Sequence, residues 1–274
     1  MSDATLPQSL ILVGAGKMGG AMLEGWLKVG LQPQGLTVLD PRPSEAMTAL
    51  CSDRGIALNP AKAAAAPDVM VLATKPQMLD DAAASVNELL GPKTLVISIL
   101  AGKTMGNLRS RLPGAGALIR AMPNLPASIG RGATGAAASA EVTPAQRAMA
   151  DTLLRANGLV EWVASEDLID AVTAVSGSGP AYVFHLVECL AKAGVAAGLP
   201  QDLAERLARQ TVTGAGELLF QSDLSPATLR QNVTSPGGTT AAALTVLMAK
   251  EGGLEGLMRQ AVAAAKQRAA ELSG

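Results

Sequence analysis

The sequence predicts an α/β fold with two domains: a parallel sheet covered by helices in residues 1–164, and an all-helical domain in residues 165–274. Two observations predict this division. Up to Val163, short runs that are apolar on both faces alternate with helical segments, which is typical of a parallel sheet buried on both sides. After Ser165 every segment has helical spacing, and the breaks fall at Gly, Pro or Ser.

The elements follow in order from this pattern. The predicted strands span residues 9–13, 36–39, 69–73, 94–99, 118–121, 133–138 and 159–163. Helices are predicted at 17–29, 77–90 and 143–156, and then at 166–175, 179–197, 201–220, 225–232, 238–250 and 254–272. Thr143 and Pro144 suit the cap and the first position of a helix. Several late helices are apolar around most of their circumference, which predicts burial in a helix-to-helix dimer interface.

Composition excludes several classes of protein. With 22 basic and 23 acidic residues the net charge is −1, so we expect no general attraction to nucleic acid or to an anionic membrane. One His and two Cys are too few for a structural zinc site, so no metal is expected. The widely separated cysteines favour a reducing compartment, and no apolar run approaches the ~18 residues of a membrane span. A cytoplasmic protein is therefore expected.

A glycine turn follows the first strand. Gly14, Gly16 and Gly19 have G-x-G-x-x-G spacing between a predicted strand and a predicted helix, which is the fingerprint of dinucleotide binding. The first glycine permits the tight turn, the second lets a pyrophosphate approach the backbone, and the third lets the helix pack on the strand. Lys17 and Met18 open the helix whose N–H groups would hold the phosphates. The first domain is therefore predicted to be a Rossmann domain that binds NAD(P).

The residues after the second strand give conflicting signals on the cofactor. Asp40 at this place favours a hydrogen bond to a ribose hydroxyl, and hence NAD. Arg42 and Ser44 could instead hold the 2′-phosphate of NADP. Residues 40–44 would also make an ordinary turn followed by a capped helix.

Three later segments have unusual composition. Residues 120–126 leave a strand with two prolines, residues 176–182 open a long helix with small residues, and residues 233–240 place hydroxyls and two glycines before an Ala-rich helix. With these segments the sequence resembles the pyrroline-5-carboxylate reductase family over essentially its whole length. The resemblance also rests on residues 74–77, 98–102, 122–124 and 166–173, and its most specific part is 235–240.

The resemblance implies NAD(P)H-dependent reduction of the cyclic imine 1-pyrroline-5-carboxylate to L-proline, the last step of proline biosynthesis. It implies a homodimer or a higher oligomer of dimers, with an active site between the cofactor domain and helices of both subunits. The predicted cofactor contacts are Gly14, Gly16, Lys17, Met18, Gly19, Asp40, Arg42, Ala73, Lys75, Pro76, Ala101 and Gly102. The predicted substrate contacts are Glu166, Asn232, Ser235, Gly237, Gly238 and Thr239, and the predicted catalytic residue is Thr240.

Elementary chemistry agrees with these assignments. The imine nitrogen is basic enough to be protonated near neutral pH, so a hydroxyl such as that of Thr240 suffices to hold it and no strong acid is needed. Backbone N–H groups of Gly237, Gly238 and Thr239 at a helix start can bind the substrate carboxylate. NADPH is somewhat preferred on family grounds, with use of both cofactors expected.

Two other functions share parts of this pattern. A 3-hydroxyacid dehydrogenase has the same glycine turn and architecture, but it needs a base, typically a lysine on the helix after a glycine-rich turn. Here the helix from Gly179 has no lysine before Lys192. A non-catalytic NAD(P)-binding module would have no need of residues 235–240.

Overall fold

In a computed structural model of the chain, which describes residues 6–63 and 66–273, eight strands form one sheet. The strands are β1 (Leu10–Val13), β2 (Leu36–Leu39), β3 (Ala57–Leu58), β4 (Val69–Leu72), β5 (Leu95–Ser98), β6 (Ala117–Met122), β7 (Gly132–Ala138) and β8 (Gly158–Trp162). Their order across the sheet is β3-β2-β1-β4-β5-β6-β7-β8. Neighbouring strands are parallel except for β6 and β7.

The predicted parallel sheet is therefore confirmed, with one difference at β7, which runs antiparallel to β6. Residues 123–131, which join these strands, hold only the short 3₁₀-helix Leu125–Ile129. A parallel crossover needs about a dozen residues or more, so this short segment turns the chain back. Strand β3 was not predicted because a two-residue strand carries no measurable alternation.

Eleven α-helices accompany the sheet in the described residues. They are α1 (Lys17–Lys28), α2 (Glu45–Arg54), α3 (Leu79–Val86), α4 (Met105–Arg111), α5 (Pro144–Arg155), α6 (Ile169–Val172), α7 (Gly179–Ala196), α8 (Gln201–Gln221), α9 (Pro226–Asn232), α10 (Thr239–Leu247) and α11 (Leu254–Ser273). The hydroxyl of Thr143 accepts the N–H of Gln146, which confirms the predicted cap of α5. The single helix predicted at 166–175 is in fact a 3₁₀ turn (Glu166–Leu168), α6 and a π-helical turn (Thr173–Gly177).

The sheet has an apolar cluster on each face. Leu10 and Leu12 of β1 point to the cluster that includes Leu23 and Trp26 of α1. The alternate residues of β1 point to the opposite cluster, which includes side chains of α3 and α4. Burial on both faces explains why the strands are continuously apolar.

The chain divides into two compact units: unit 1, Met1–Ser178 with Ala265–Gly274, and unit 2, Gly179–Ala264. The domain boundary predicted at residues 164/165 falls inside unit 1 of this division. Residues 166–178 remain with unit 1 because they pack on the sheet; Val172, for example, lies against Gly135 of β7.

Unit 2 consists of helices with exposed apolar side chains. In α7 Ala191 is the one buried residue, while Phe184 and Leu186 are 55% and 48% exposed. Across residues 6–63 and 66–273, no helix combines the length and the hydrophobicity that crossing a bilayer requires.

Candidate active site

The glycine turn lies at the carboxyl end of β1. Gly14 has φ +90°, and a Cβ there would come within 2.8 Å of the Thr74 nitrogen. A Cβ on Gly19 would lie 2.2 Å from the carbonyl oxygen of Gly14, so the helix packs too closely on the turn for any side chain. Beside Gly16, in contrast, a Cβ would meet nothing within 4 Å. The first and third glycines therefore allow close packing inside the protein, and the second faces open space.

Helix α1 starts directly behind this open space. Its first intrahelical bond runs from the Gly20 N–H to the Gly16 carbonyl at 2.8 Å, so the N–H groups of Lys17, Met18 and Gly19 precede the hydrogen-bonded ladder. Lys17 is exposed, whereas Met18 packs partly against the core. Met18 can therefore offer a ligand its backbone N–H, while its side chain serves packing.

Asp40 braces the glycine turn from the end of β2. One carboxylate oxygen accepts the Ala15 N–H at 2.7 Å and the other accepts the Arg42 N–H at 2.8 Å. Asn59 holds the Asp40 backbone through its side-chain amide, at 2.9 and 2.7 Å. The Ala15 N–H thus points to Asp40, and the Asp40 carboxylate has a role in the turn itself.

Two clefts meet at Asp40. One has a volume of about 770 Å³ and is lined by Gly16, Lys17, Arg42 and Ser44 among others. The other has a volume of about 530 Å³ and is lined by residues that include Thr74. The Thr74 hydroxyl is buried and has no hydrogen-bond partner within the described residues. The sites predicted from the glycine turn and from residues 40–44 therefore come together at one sheet edge.

The remaining predicted cofactor residues lie at the ends of β4 and β5. Ala73 donates its N–H to the Val13 carbonyl at 2.8 Å, and Lys75 and Pro76 start the 3₁₀ turn that follows. Ala101 is exposed in the turn after β5. Gly102 has φ +69° and lies against Leu272 of α11, where a Cβ would come within 2.9 Å of the Leu272 Cβ. All these residues lie in unit 1.

Glu166, predicted as a substrate contact, already has partners in unit 1. Its Oε1 atom accepts the Met105 N–H at 2.7 Å and a hydrogen bond from Arg120 at 3.2 Å. The other nitrogen of the Arg120 guanidinium bonds Asp170 at 3.2 Å. Arg120 is 4% exposed and its two carboxylate partners are 26% and 17% exposed, so a buried cation is held by two partly buried carboxylates.

The other predicted substrate residues lie between the end of α9 and the start of α10, in unit 2. Asn232 ends α9, and Ser235 accepts the Gly238 N–H through its carbonyl at 3.0 Å. Gly237 has φ +71°, with nothing within 4 Å of a Cβ, and Gly238 is the N-cap. The first helical bond runs from the Ala242 N–H to the Gly238 carbonyl at 3.1 Å, so the N–H groups of Thr239 and Thr240 precede it.

Comparison with known proteins identifies these two parts. The family model for pyrroline-5-carboxylate reductase dimerisation matches residues 166–272, and that for NADP oxidoreductase coenzyme F420-dependent matches residues 9–102. The sequence is 39% identical to a pyrroline-5-carboxylate reductase of Pseudomonas aeruginosa over 96% of both chains, and 36% identical to one of Glycine max over 97% of this chain and 96% of that one. The chain belongs to the pyrroline-5-carboxylate reductase family.

Solved structures agree. A pyrroline-5-carboxylate reductase of Coxiella burnetii is 36% identical, with a TM-score of 0.89 over 98% of this chain and all of that one. A Plasmodium falciparum pyrroline carboxylate reductase with NADP bound is 25% identical, with a TM-score of 0.79 over the same shares. The predicted family, fold class and activity are confirmed: the chain is an oxidoreductase of proline biosynthesis that reduces 1-pyrroline-5-carboxylate. NAD(P)H is its cofactor.

The residues present fit such a cofactor. Of the three glycines in the turn, Gly16 is the one with open space beside it, and this space lies in front of the first N–H groups of α1, where a phosphate would bind.

Sequence reasoning missed two parts of the candidate site. Asn59 adopts φ 45° after the two-residue β3, and the Asn59-Pro60 pair, which is typical of a turn, could have drawn attention to it. The ion pairs of Arg120 join residues far apart in the sequence, and no local pattern reveals them.

Proposed function

We propose that unit 1 holds the cofactor at the carboxyl ends of β1, β2, β4 and β5, and that the start of α10 binds the substrate carboxylate. The observation that carries the second part is the helix start itself. Gly237 and Gly238 have no side chains to cover the first N–H groups of α10, and these groups carry the positive end of the helix dipole. A carboxylate there needs no cation, and Asn232 and Ser235 flank the same position in the sequence.

The reaction adds one hydride to the C5 carbon of the imine and leaves one proton on nitrogen. When bound, NAD(P)H supplies the hydride. The protein's part is to orient the ring: the carboxylate anchors at the N–H groups of Gly237 and Thr239, on either side of Gly238, whose own N–H is bonded to the Ser235 carbonyl. The Thr240 hydroxyl holds the ring nitrogen. Because the imine nitrogen already carries its proton near neutral pH, a hydroxyl is sufficient at this position.

We propose that the enzyme uses both NADPH and NADH and prefers NADPH. Arg42 lies at the 770 Å³ cleft, two residues before Ser44, whose hydroxyl caps the N-terminus of α2. A guanidinium beside a helix N-terminus is suited to a 2′-phosphate. The Asp40 carboxylate, which favours NAD, is engaged by the Ala15 and Arg42 N–H groups, which supports the weaker role for NADH.

We also propose a homodimer, or a higher oligomer of dimers, built mainly from residues 165–274, which the dimerisation family model covers from residue 166. The exposed apolar side chains of α7 and α8 support this assembly. A cytoplasmic location is proposed because both Cys51 and Cys189 are free thiols. The near-zero net charge supports the absence of a nucleic-acid partner.

Thr240→Ala tests the proposed chemistry. Removing the hydroxyl should lower kcat at least a few-fold, because a lost neutral hydrogen bond costs ~0.5–1.5 kcal/mol of transition-state stabilisation. The Kd for NADPH should stay unchanged. Thr240→Ser should recover much of the rate because the hydroxyl survives. Thr245→Ala is the matched control, since the Thr245 hydroxyl is exposed on the same helix and bonds the Ala242 carbonyl, at 2.7 Å. If Thr240→Ala reduces the imine at the wild-type rate with unchanged KM, Thr240 is structural and the assignment fails.

A further inference from the structure

Arg120 is a buried cation that the cofactor and substrate assignments do not use. It lies on β6 with 4% of its side chain exposed, opposite Ser98, the last residue of β5. It is therefore at the carboxyl edge of the parallel strands, where ligands bind in open α/β sheets. A guanidinium has no acceptor function and does not lose its proton in proteins, so its role here is to donate hydrogen bonds in a fixed direction.

Glu166 extends the network from Arg120 to α4. Its Oε1 atom accepts from Arg120 at 3.2 Å and from the Met105 N–H at 2.7 Å. Met105 is the first residue of α4, and the turn immediately before that helix contains Ala101 and Gly102. Asp170 occupies the other arm of the Arg120 guanidinium, on the α6 side.

We propose that Arg120 and Glu166 are positioning residues that fix the 99–104 turn for the nicotinamide half of the cofactor. The proposal rests on the proposed contact of Ala101 and Gly102 with the cofactor. The planar fork of Arg120 holds two carboxylates that would otherwise repel each other, and this locks Glu166 onto the start of α4. Glu166 thereby acts on the cofactor through the backbone of α4, a different role from the predicted contact with substrate.

Paired substitutions at Glu166 test the proposal. Glu166→Ala removes the acceptor of the Met105 N–H, whereas Glu166→Gln keeps a carbonyl oxygen at the same place. The Kd for NADPH, followed by the fluorescence of its nicotinamide, should rise about twofold to thirtyfold for Glu166→Ala and Arg120→Met, the range for perturbed coupling networks. Glu166→Gln should stay close to wild type, and Arg120→Lys should lie between. The double variant Arg120→Met/Glu166→Ala should be no weaker than the worse single variant, because both act on one network.

Two controls separate positioning from general damage. Binding of 2′,5′-ADP, which lacks the nicotinamide half, should be unchanged in every variant. Arg109→Met removes an exposed ion pair between Arg109 of α4 and Glu141, at 2.8 Å, and should leave the NADPH Kd at the wild-type value.

Three results would overturn the inference. One is an unchanged NADPH Kd in Glu166→Ala, and another is an equal loss of NADPH and 2′,5′-ADP binding, which would indicate disrupted structure. The third is a rise in the KM for the imine that is as large in Glu166→Gln as in Glu166→Ala, since Glu166 would then be a substrate contact. If Arg120→Met does not fold, the two Glu166 variants still decide. Failure of the proposed cofactor site would be distinct, because the wild-type protein itself would then not bind NADPH.

Discussion

Helices α1 and α7 illustrate how differently the two units use apolar sequence. Helix α1 has twelve residues and buries six of them, including Leu23 and Trp26, which have no exposed area. Helix α7 has eighteen residues with a higher apolar content, yet only Ala191 is buried. Unit 1 therefore completes its core within one chain, whereas unit 2 carries apolar surface that one chain does not cover.

The difference teaches that apolar content predicts burial without saying where the partner surface comes from. A stripe of α7, at Val183, Leu186 and Leu190, is 43–48% exposed. Neighbouring apolar side chains exposed together on one helix face are typical of an interaction surface. In the proposed dimer a second copy covers it, so the helices of unit 2 depend on assembly, whereas the core between α1 and the sheet of unit 1 does not.

The largest expected effect comes from placing a charge in this stripe. Leu186→Glu would place a carboxylate in the interface of each copy, at a cost of ~3 kcal/mol per carboxylate. Because a symmetric dimer contains two of them, its association free energy would weaken by about 6 kcal/mol. Sedimentation should then show monomers, and imine reduction should be almost abolished.

Val29→Glu provides the control in unit 1. Val29 is 44% exposed at the end of α1, close to the value for Leu186. Unlike Leu186, it follows a helix whose large apolar side chains are already buried within unit 1. Its substitution should change neither the sedimentation coefficient nor the rate by more than about twofold, because surface substitutions usually cost under ~0.5 kcal/mol. If Val29→Glu and Leu186→Glu changed the sedimentation coefficient and the rate equally, the proposed distinction between the two units would be wrong.

A core substitution in unit 1 should have the opposite signature. Leu23→Ala leaves a cavity between α1 and the sheet and should lower the free energy of unfolding by about 2–5 kcal/mol. The dimer dissociation constant should stay at the wild-type value, because the packing that is lost lies within one chain. Urea unfolding and sedimentation measure the two quantities, and a coupled change in both would contradict the separation.

The sequence predicted most of unit 1 because its signals are local. The β1–turn–α1 pattern, the strand at 36–39 and the Thr143 cap each depend on a few neighbouring residues, and the structure confirms them. The antiparallel β7 and the bond from Asp40 to Ala15 depend on the path of the chain in three dimensions. The π-helical turn at Thr173–Gly177 likewise differs from an α-helix by a change of hydrogen-bond partner that residue spacing does not reveal.

Cofactor recognition should belong to unit 1 alone. If Arg42 binds the 2′-phosphate, Arg42→Ala should raise the KM for NADPH roughly tenfold or more and spare NADH, since a charge-assisted hydrogen bond contributes ~1.5–3 kcal/mol. The loss of 2′,5′-ADP affinity should be the same in the wild-type and Leu186→Glu backgrounds, as calorimetry can measure. An equal effect on NADPH and NADH would reduce Arg42 to a turn residue.

The smallest expected effect concerns an ion pair on the surface of unit 1. Asp151 of α5 accepts hydrogen bonds from Arg155 at 2.5 Å and from the Trp162 ring nitrogen at 2.8 Å. Burial would raise the pKa of Asp151, but these two bonds, with the charges of Arg155 and Arg147, outweigh it and lower the pKa. The folded state thus favours the ionised carboxyl, so its contribution to stability is present above the usual pKa of about 4 and is lost as the pH falls through the lower folded value.

Asp151→Asn should therefore lower the free energy of unfolding by only about 0.5–1 kcal/mol at pH 7, because Arg155 is 49% exposed and solvent screens the pair. Urea unfolding at pH 7 and near pH 3 should show the difference between variant and wild type shrinking in acid, as the wild-type carboxyl takes up its proton. The dimer dissociation constant should not respond, since the ion pair lies within α5 and the Trp162 bond to Asp151 ties α5 to β8 within one chain. A difference that stays constant with pH would mean that the Trp162 hydrogen bond, and not the charge of Asp151, stabilises this edge of the sheet.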